Sequence, residues 1–247
     1  MTISTLSPQQ RRSSAVLDAA QMAQVDQHTI ERCGVSLLQM MENAGRALAR
    51  LARQRYLGGD AHGAMIHVLA GTGGNGGGVL AAARRLHGWG AQVQVWLVHP
   101  HRLSVVAAQQ WSSLSHLGVV RGVPGTAGQG AHLVLDGLLG YSLRGNPLQP
   151  HATLMADVAR TSTPVLAMDL PSGLQPDTGV ASQPTLAADA TLMLAAPKRG
   201  LLAPSAGVWT GERYLADIGV PAQVFGELGI AGDMTAVFAH DDLVRWA

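Results

Sequence analysis

Residues 65–78 read MIHVLAGTGGNGGG, a short apolar run that passes directly into a glycine-rich turn. The apolar part predicts a buried strand over residues 65–70, and the VLAAARRLHGW that follows at 79–89 predicts a helix. A strand, a turn and a helix in this order indicate an α/β unit, because parallel strands need a crossover connection. Glycines let the backbone approach a ligand closely, and a helix N-terminus presents free N–H groups to an anion. This stretch therefore predicts both a parallel sheet and an anion site at its edge.

The same alternation of apolar strands and helices continues along the chain. Runs such as HLVLDG (132–137) and VLAMDL (165–170) show little polar alternation, which is typical of strands covered on both faces. Strands are also predicted at 92–98 and 191–194, and helices at 18–32, 37–54, 105–116 and 153–160. The tail predicts weaker strands near 208–215 and 235–238 and a last helical turn at 241–245. The fold class is therefore α/β with a mostly parallel sheet.

Composition and charge narrow the class of protein. Of the 247 residues, 47% are hydrophobic and 13% charged, which suits one domain over residues 15–247 behind a polar, disordered lead-in at 1–14. The net charge of +1 and the absence of a basic block argue against nucleic-acid binding. No signal peptide and no run of about 18 apolar residues is present, so no membrane partner is expected. The single cysteine, Cys33, fits a reducing, cytoplasmic compartment.

Asp136 stands at the end of a predicted strand and is followed by GLLGYSLRGNP. Ligands of open α/β sheets bind beyond the carboxyl ends of the strands. A carboxylate there can bind a cation or a ribose hydroxyl, and Arg144 in the following loop can pair with a phosphate. The alternative is that Asp136 caps a turn and that Arg144 is a solvated loop residue.

Asp169 ends the next buried strand and is followed by Leu170-Pro171-Ser172-Gly173. Carboxyl groups at the edge of an apolar core tend to have a raised pKa, which suits proton transfer. Ser172 adds a hydroxyl oxygen to the same turn. The alternative is an Asx-type turn held by the proline and the glycine.

Six stretches between residues 18 and 221, in the same order as in the family, resemble the NAD(P)H-hydrate epimerase family, also called the YjeF N-terminal domain family. The stretches are MENAG (41–45), the glycine turn with Asn75, residues 136–146, MDLPSG (168–173) with DTG (177–179), APKRG (196–200) and DIGVP (217–221). The resemblance implies a single three-layer αβα Rossmann-like domain, usually homodimeric. It also implies an isomerase of metabolite repair that interconverts the R and S forms of hydrated NADH and NADPH (NADHX and NADPHX).

The resemblance further implies a bound potassium ion and a set of site residues. Potassium would be held by oxygens of Asn75, Asp136 and Ser172, as suits a hard cation. The substrate would be lined by Gly74, Asn75, Gly76, Gly77 and Gly78, and by Gly140, Tyr141, Ser142, Leu143, Arg144, Gly145 and Asn146. Asp169 would contact it near the reacting ring. The family's dehydratase activity is expected on a separate protein.

A mechanism follows from these assignments as a hypothesis. Asp169 acts as general acid on the hydroxyl beside the ring nitrogen, and water returns from the other face of the ring. Arg144 or Lys198 neutralises phosphate charge. Lys198 is the only lysine among the 17 Lys and Arg residues, either by chance or because that position needs an ammonium.

The glycine turn departs from the family pattern G-x-G-N-N-G-G-D-G. Gly74 stands where the first Asn is usual, Gly78 where Asp is usual, and Val79 where Gly is usual. The backbone cradle and Asn75 are kept, but two side chains are missing from the substrate loop. The alternative function is therefore a non-catalytic nucleotide-binding or dimerising module on the same fold.

Overall fold

A nine-stranded sheet runs through the computed structural model, which describes residues 3–247. Its order is β1-β9-β8-β7-β6-β5-β2-β3-β4, and every neighbouring pair is parallel except β8 and β9. The strands are β1 (Ser4–Thr5), β2 (Met65–Ala70), β3 (Gln92–Leu97), β4 (Val120–Arg121), β5 (Leu133–Gly137), β6 (Val165–Met168), β7 (Ala190–Leu194), β8 (Glu212–Ala216) and β9 (Leu243–Trp246). The predicted α/β class with a mostly parallel sheet is confirmed.

The helices begin where the sequence supplies caps. Asp18 and Ser36 each accept a hydrogen bond from the backbone three residues on, and Gln21 and Gln39 complete two capping boxes. The helices are α1 (Pro8–Ser13), α2 (Ala19–Glu31), α3 (Leu37–Tyr56), α4 (Gly74–Gly88), α5 (Val105–His116), α6 (His151–Ala159), α7 (Gly207–Thr210), α8 (Gln223–Glu227) and α9 (Met234–Val237). Within residues 3–247, no helix has the length and apolar character that a membrane crossing requires.

Helices cover both faces of the sheet, which gives three layers. Along β2, Val68 packs in a core cluster with side chains of α3, α4 and α5, whereas Leu69 packs in a second cluster with side chains of α6. Both residues are fully buried. This explains why the central strands are apolar at successive positions instead of alternating with polar residues.

The position of the candidate site follows from the sheet order. β2 lies between β3 and β5, so the chain leaves β2 towards one edge of the sheet and leaves β5 towards the other. The glycine turn follows β2 and the loop 138–146 follows β5. These two loops therefore border the point at which the strand order reverses, where open α/β sheets bind ligands.

The N-terminal segment differs from the predicted disordered lead-in. Residues 4–5 form β1, which pairs with β9, and residues 8–13 form α1. Leu6 is buried and its N–H donates to the Arg245 carbonyl at 3.0 Å, while the Gln10 side chain donates to the Ala236 carbonyl at 2.9 Å. The segment is ordered by contacts with the C-terminal tail, which its polar composition does not reveal. The first two residues of the predicted lead-in lie outside the described part.

The predictions for the C-terminal tail are also corrected. Residues 235–238, predicted as a strand, lie in and just after α9, whose first turn is capped by Asp233. Residues 241–245, predicted as a helical turn, lead into β9, which pairs with both β1 and β8. The strand predicted near 208–215 is confined to β8 and preceded by α7. In such short segments, pairing partners elsewhere in the chain decide the structure.

Candidate active site

A cavity of about 500 Å³ opens at the point where the strand order reverses. The turn after β2 contributes residues 72–76, and the loop after β5 contributes residues 138–144. Leu37 at the start of α3 and His151 at the start of α6 complete the lining. The two loops that the sequence predicted as ligand-binding therefore form opposite walls of one cavity.

Two glycines let the turn after β2 fold tightly. A Cβ atom at Gly71 would lie 2.0 Å from the Leu138 carbonyl oxygen, and one at Gly76 would lie 2.0 Å from the Gly71 carbonyl oxygen. α4 starts inside the glycine run, at Gly74, and not at residue 79 as predicted. Within residues 3–247 no side chain caps this helix, so its first N–H groups are left for a ligand.

Part of the predicted substrate set lies outside the cavity. Gly77 and Gly78 are buried in the first turns of α4, where they face α5 and β6 respectively. At the far end of the second loop, Asn146 accepts a hydrogen bond from the Gln183 N–H at 3.0 Å. The lining is therefore made by Gly74, Asn75 and Gly76 with Gly140–Arg144, a shorter set than the resemblance implied.

Asp136 and Ser172 form one buried unit below the cavity. Both are fully buried, and the Ser172 hydroxyl donates to Asp136 Oδ1 at 2.6 Å while the Ser172 N–H donates to Oδ2 at 2.8 Å. Burial raises the pKa of Asp136, although the hydrogen bonds from Ser172 and Leu138 oppose this shift. The Ser172 hydroxyl also accepts from the N–H of Leu139, a residue of the cavity wall.

The Asn75 side chain, which lines the cavity, bridges the loop after β5 and the end of β6. Its amide nitrogen donates to the carbonyl oxygens of Leu139 at 3.2 Å and of Met168 at 3.0 Å. Because Leu139 is bonded to Ser172, the three residues assigned to potassium belong to one connected network. The atoms that it brings together include amide, carboxylate, hydroxyl and carbonyl oxygens, the donors that a hard cation prefers.

Asp169 is paired with Lys198, which corrects one role given to the lysine. Lys198 Nζ lies 2.5 Å from Asp169 Oδ1 and 3.1 Å from the Leu194 carbonyl oxygen, and the two side chains are 1% and 2% exposed. Both side chains are buried and neither lines the cavity, although Asp169 was predicted to contact the substrate and Lys198 to neutralise phosphate. Arg144 is exposed at the rim and forms no ion pair with any part of the described chain, so it remains available for that purpose.

The backbone around this buried pair is strained. Asp169 has φ +67°, and the N–H of Leu170 bonds to the carbonyl of Met168 at 2.9 Å, which makes a γ-turn. Ala195 repeats the arrangement after the neighbouring strand, with φ +59° and an N–H···O bond of 2.7 Å from Ala196 to Leu194. Left-handed non-glycine residues of this kind concentrate at functional sites, where the surroundings hold them in place.

Sequence reasoning did not predict two residues of this region. Asp26 of α2 accepts a hydrogen bond from the Tyr141 hydroxyl at 2.7 Å, and His151 lines the cavity. Glu42 of the MENAG stretch binds Arg84 and Arg85 between helices. Lys198 was singled out by being the only lysine, whereas Asp26 and His151 carried no signal of their own.

Two methionines occupy the space beside the glycines that depart from the family pattern. A Cβ atom at Gly78 would lie 2.9 Å from Met168 Cε and 3.7 Å from Met41 Sδ. We therefore expect Gly78→Asp to lower the free energy of unfolding by about 2–4 kcal/mol, through overpacking and burial of a carboxylate. Met168→Ala in the same chain should offset part of this cost, so that the double variant is less destabilised than the sum of the singles. Urea unfolding of the three variants measures the effect.

Gly74→Asn is the matched control, since it restores the other missing side chain. A Cβ atom there would meet Met41 Sδ at an ordinary contact distance of 3.7 Å, and the residue faces the cavity. Its free energy of unfolding should stay within about 1 kcal/mol of the wild type. Additive costs for Gly78→Asp and Met168→Ala would contradict the view that Met168 fills the place of the missing side chain.

Comparison with known proteins identifies similar chains. The sequence model of the family described as YjeF-related protein N-terminus matches residues 37–200. The NAD(P)H-hydrate epimerase of Dehalogenimonas lykanthroporepellens is 39% identical over 85% of this chain and 84% of its own length. The NAD(P)H-hydrate epimerase of Rhodopirellula baltica is 31% identical over 84% of this chain and 85% of its own length.

Two further similar proteins are a longer bifunctional enzyme and a protein of known structure. The bifunctional NAD(P)H-hydrate repair enzyme Nnr of Pyrobaculum aerophilum is 34% identical over 78% of this chain, which spans 40% of that protein. The crystal structure of the yeast protein ynu0 superimposes with a TM-score of 0.77, covering 93% of this chain and 99% of the yeast chain. With 22% identity, the yeast structure supports the fold.

Proposed function

Because this chain belongs to the family of YjeF-related protein N-termini, we infer that it is an NAD(P)H-hydrate epimerase. It is an isomerase that interconverts the R and S forms of hydrated NADH and NADPH in nicotinamide nucleotide repair. The observation that carries this inference is the cavity itself, where the glycine turn and the loop 138–146 meet above the bonded pair Asp136 and Ser172. Both walls come from stretches that mark the family.

We propose that the dinucleotide lies across this cavity with its diphosphate at the N-terminus of α4. The N–H groups of Gly74, Asn75 and Gly76 and the positive end of the helix favour a negative group there. Arg144, exposed at the rim, can reach the same anion with a forked pair of donors. Tyr141 lines the opposite wall, on the side of Asp169 and Lys198.

We further propose that Asn75, Asp136 and Ser172 hold potassium. The connected carboxylate, hydroxyl and amide groups supply the oxygen donors that such an ion needs, and Gly140 leaves room beside Asn75, where a Cβ atom would lie 3.1 Å from Asn75 Cγ. When bound, potassium would offset diphosphate charge and stiffen the two loops. A lower activity with Li⁺ than with K⁺ at equal ionic strength is expected.

For the chemical step we propose that Asp169 is the general acid and that Lys198 supports it. Asp169 is the carboxylate of an ion pair, so the proton that it passes to the hydroxyl on the carbon beside the ring nitrogen comes from the Lys198 ammonium. The carbon–oxygen bond breaks, water leaves, and the ring nitrogen stabilises the cation with its lone pair. Water then adds to the other face, and its proton returns through Asp169 to Lys198, which restores the ion pair. Because Asp169 is 2% exposed, the groups that cover it have to move before the ring can reach it.

An assay with chemically hydrated NADH separates this function from a non-catalytic nucleotide-binding module. The S epimer is removed by an added S-specific dehydratase, and the remaining R epimer is followed by chromatography. We expect complete consumption of both epimers in the presence of the protein. Removal of the S epimer alone, with the R epimer disappearing only at the rate of spontaneous epimerisation, would favour the module.

The resemblance also leads us to propose a homodimer and a separate S-specific dehydratase that consumes the product. We propose a cytoplasmic location as well, where the exposed thiol of Cys33 stays reduced. Equilibrium sedimentation tests the dimer, and it should give a mass twice that of the 25.7 kDa chain.

A further inference from the structure

Tyr141 is tied to a helix outside the two loops that form the cavity. Its hydroxyl donates to Asp26 Oδ2 at 2.7 Å, and Asp26 lies in α2, 115 residues earlier in the chain. The neighbouring loop residues Ser142, Arg144 and Gly145 are exposed. The bond to Asp26 is therefore a side-chain anchor in the middle of an otherwise exposed wall.

The segment before α2 is itself fixed to the buried pair. The N–H of Leu17 donates to the Pro197 carbonyl at 2.9 Å, and the N–H of Arg199 donates to the Leu17 carbonyl at 2.7 Å. Leu17 thus brackets Lys198 from both sides, as a parallel bridge. One continuous segment, residues 17–26, holds the backbone of Lys198 at one end and the hydroxyl of Tyr141 at the other.

The ring of Tyr141 lies next to both the cavity and the buried ion pair. Tyr141 lines the cavity, while Lys198 Nζ lies 6.0 Å from the centre of its ring. This distance is at the limit for attraction between an ammonium and an aromatic face. A shift of the ring would therefore change both the shape of the cavity and the surroundings of the Asp169–Lys198 pair.

The charges around Asp26 support a stable hydrogen bond from the Tyr141 hydroxyl. Burial raises the pKa of Asp26, and the negative charge of Asp169 raises it further. The hydrogen bond from Tyr141 and the positive charge of Lys198 oppose this shift. Burial and the nearby Asp26 raise the pKa of Tyr141, so its hydroxyl keeps the proton that it donates. Asp26 is thus coupled to both members of the buried pair and to the cavity wall.

We propose that Asp26 is a positioning residue for epimerisation: by holding Tyr141, it sets the wall of the cavity next to Asp169 and Lys198. The inference rests on the proposed function and extends it to α2, which precedes the residues matched by the family model. Asp26 acts through Tyr141 and is not expected to touch the substrate.

A double-mutant cycle tests whether Asp26 acts through its hydrogen bond with Tyr141. Asp26→Ala and Tyr141→Phe should each lower kcat/KM for epimerisation by about ten- to a hundredfold, as expected for the loss of a hydrogen bond to a charged group. The double variant should be no worse than the more impaired single variant, because both changes remove the same bond. Asp26→Asn keeps an oxygen acceptor and should recover part of the rate. Effects that multiply in the double variant would overturn the proposal.

Three further measurements separate a positioning role from loss of folding and from failure of the proposed function. Glu31→Gln, an exposed carboxylate on the same helix, is the matched control and should leave kcat/KM unchanged. Thermal unfolding identifies a variant that is merely unfolded, in which case Tyr141→Phe alone decides. Affinity for NADP⁺, measured by calorimetry, should fall with Asp26→Ala even if the wild type proved inactive as an epimerase. Equal NADP⁺ affinity and equal kcat/KM in the wild type and the Asp26→Ala variant would overturn the positioning role of Asp26.

Discussion

Replacing Asp169 with asparagine is expected to slow epimerisation by a factor of about 10²–10⁴, the usual contribution of a positioned proton-transfer group. Asparagine has nearly the same shape and keeps an oxygen for the N–H of Leu194 and the ammonium of Lys198. It cannot give a proton to the leaving hydroxyl. NADP⁺ should therefore bind to the variant with nearly wild-type affinity. Chromatographic separation of the R and S epimers over time measures the rate.

Asp189→Asn provides the matched control for this change. Asp189 accepts a hydrogen bond from the N–H of Val165 at 2.8 Å, at the opposite end of the strand that Asp169 follows. The same replacement there should leave the rate within about twofold, since the residue lies far from the cavity. Epimerisation at the full wild-type rate by Asp169→Asn would show that another group is the acid.

Replacing Lys198 with methionine is expected to give the largest loss of stability of any single change considered. The change leaves the carboxylate of Asp169, 2% exposed, without its ammonium partner. Breaking a buried ion pair in this way costs about 3–5 kcal/mol, because one charge stays buried and uncompensated. Urea unfolding should show the loss, and epimerisation should slow as well because Asp169 loses its support.

The double variant Lys198→Met with Asp169→Leu distinguishes charge from packing. Removing both charges should recover most of the lost stability, since apolar pairs often replace buried ion pairs without cost, yet the protein should be inactive. Arg199→Met is the exposed control, because its ion pair with Asp18 spans 3.9 Å at the surface. Wild-type stability of Lys198→Met would contradict the buried pair.

The regular parts of the fold could be predicted closely from the sequence. The strand Met65–Ala70 and the helix Val105–His116 agree with their predicted bounds. A short apolar run that ends at the glycine turn marks the strand, and a serine cap marks the start of the helix. The tail could not be predicted, since β9 and α9 are four residues each and are decided by their partners. The glycine run was also predicted as a turn although α4 begins within it, because packing overrides the low helix propensity of glycine there.

The candidate site was predictable in its order along the chain but not in its contacts. Asn75 and Ser172 come shortly after strands and Asp136 stands near the end of one, so their convergence at one edge of a parallel sheet could be expected. The bonds of Asp169 to Lys198 and of Asp26 to Tyr141 join residues 29 and 115 positions apart, and no local pattern encodes such pairs. The burial of Lys198 changed its role from a candidate phosphate ligand to the partner of Asp169.

The proposed site is tested most directly by a crystal structure with NADP⁺ and rubidium, an anomalous scatterer that replaces potassium. We expect dinucleotide density between Gly74–Gly76 and Gly140–Arg144, with the nicotinamide ring towards Asp169. We also expect a rubidium peak beside Asp136 and Ser172. Density for the dinucleotide at another surface, with no anomalous peak at these two residues, would contradict the proposed site.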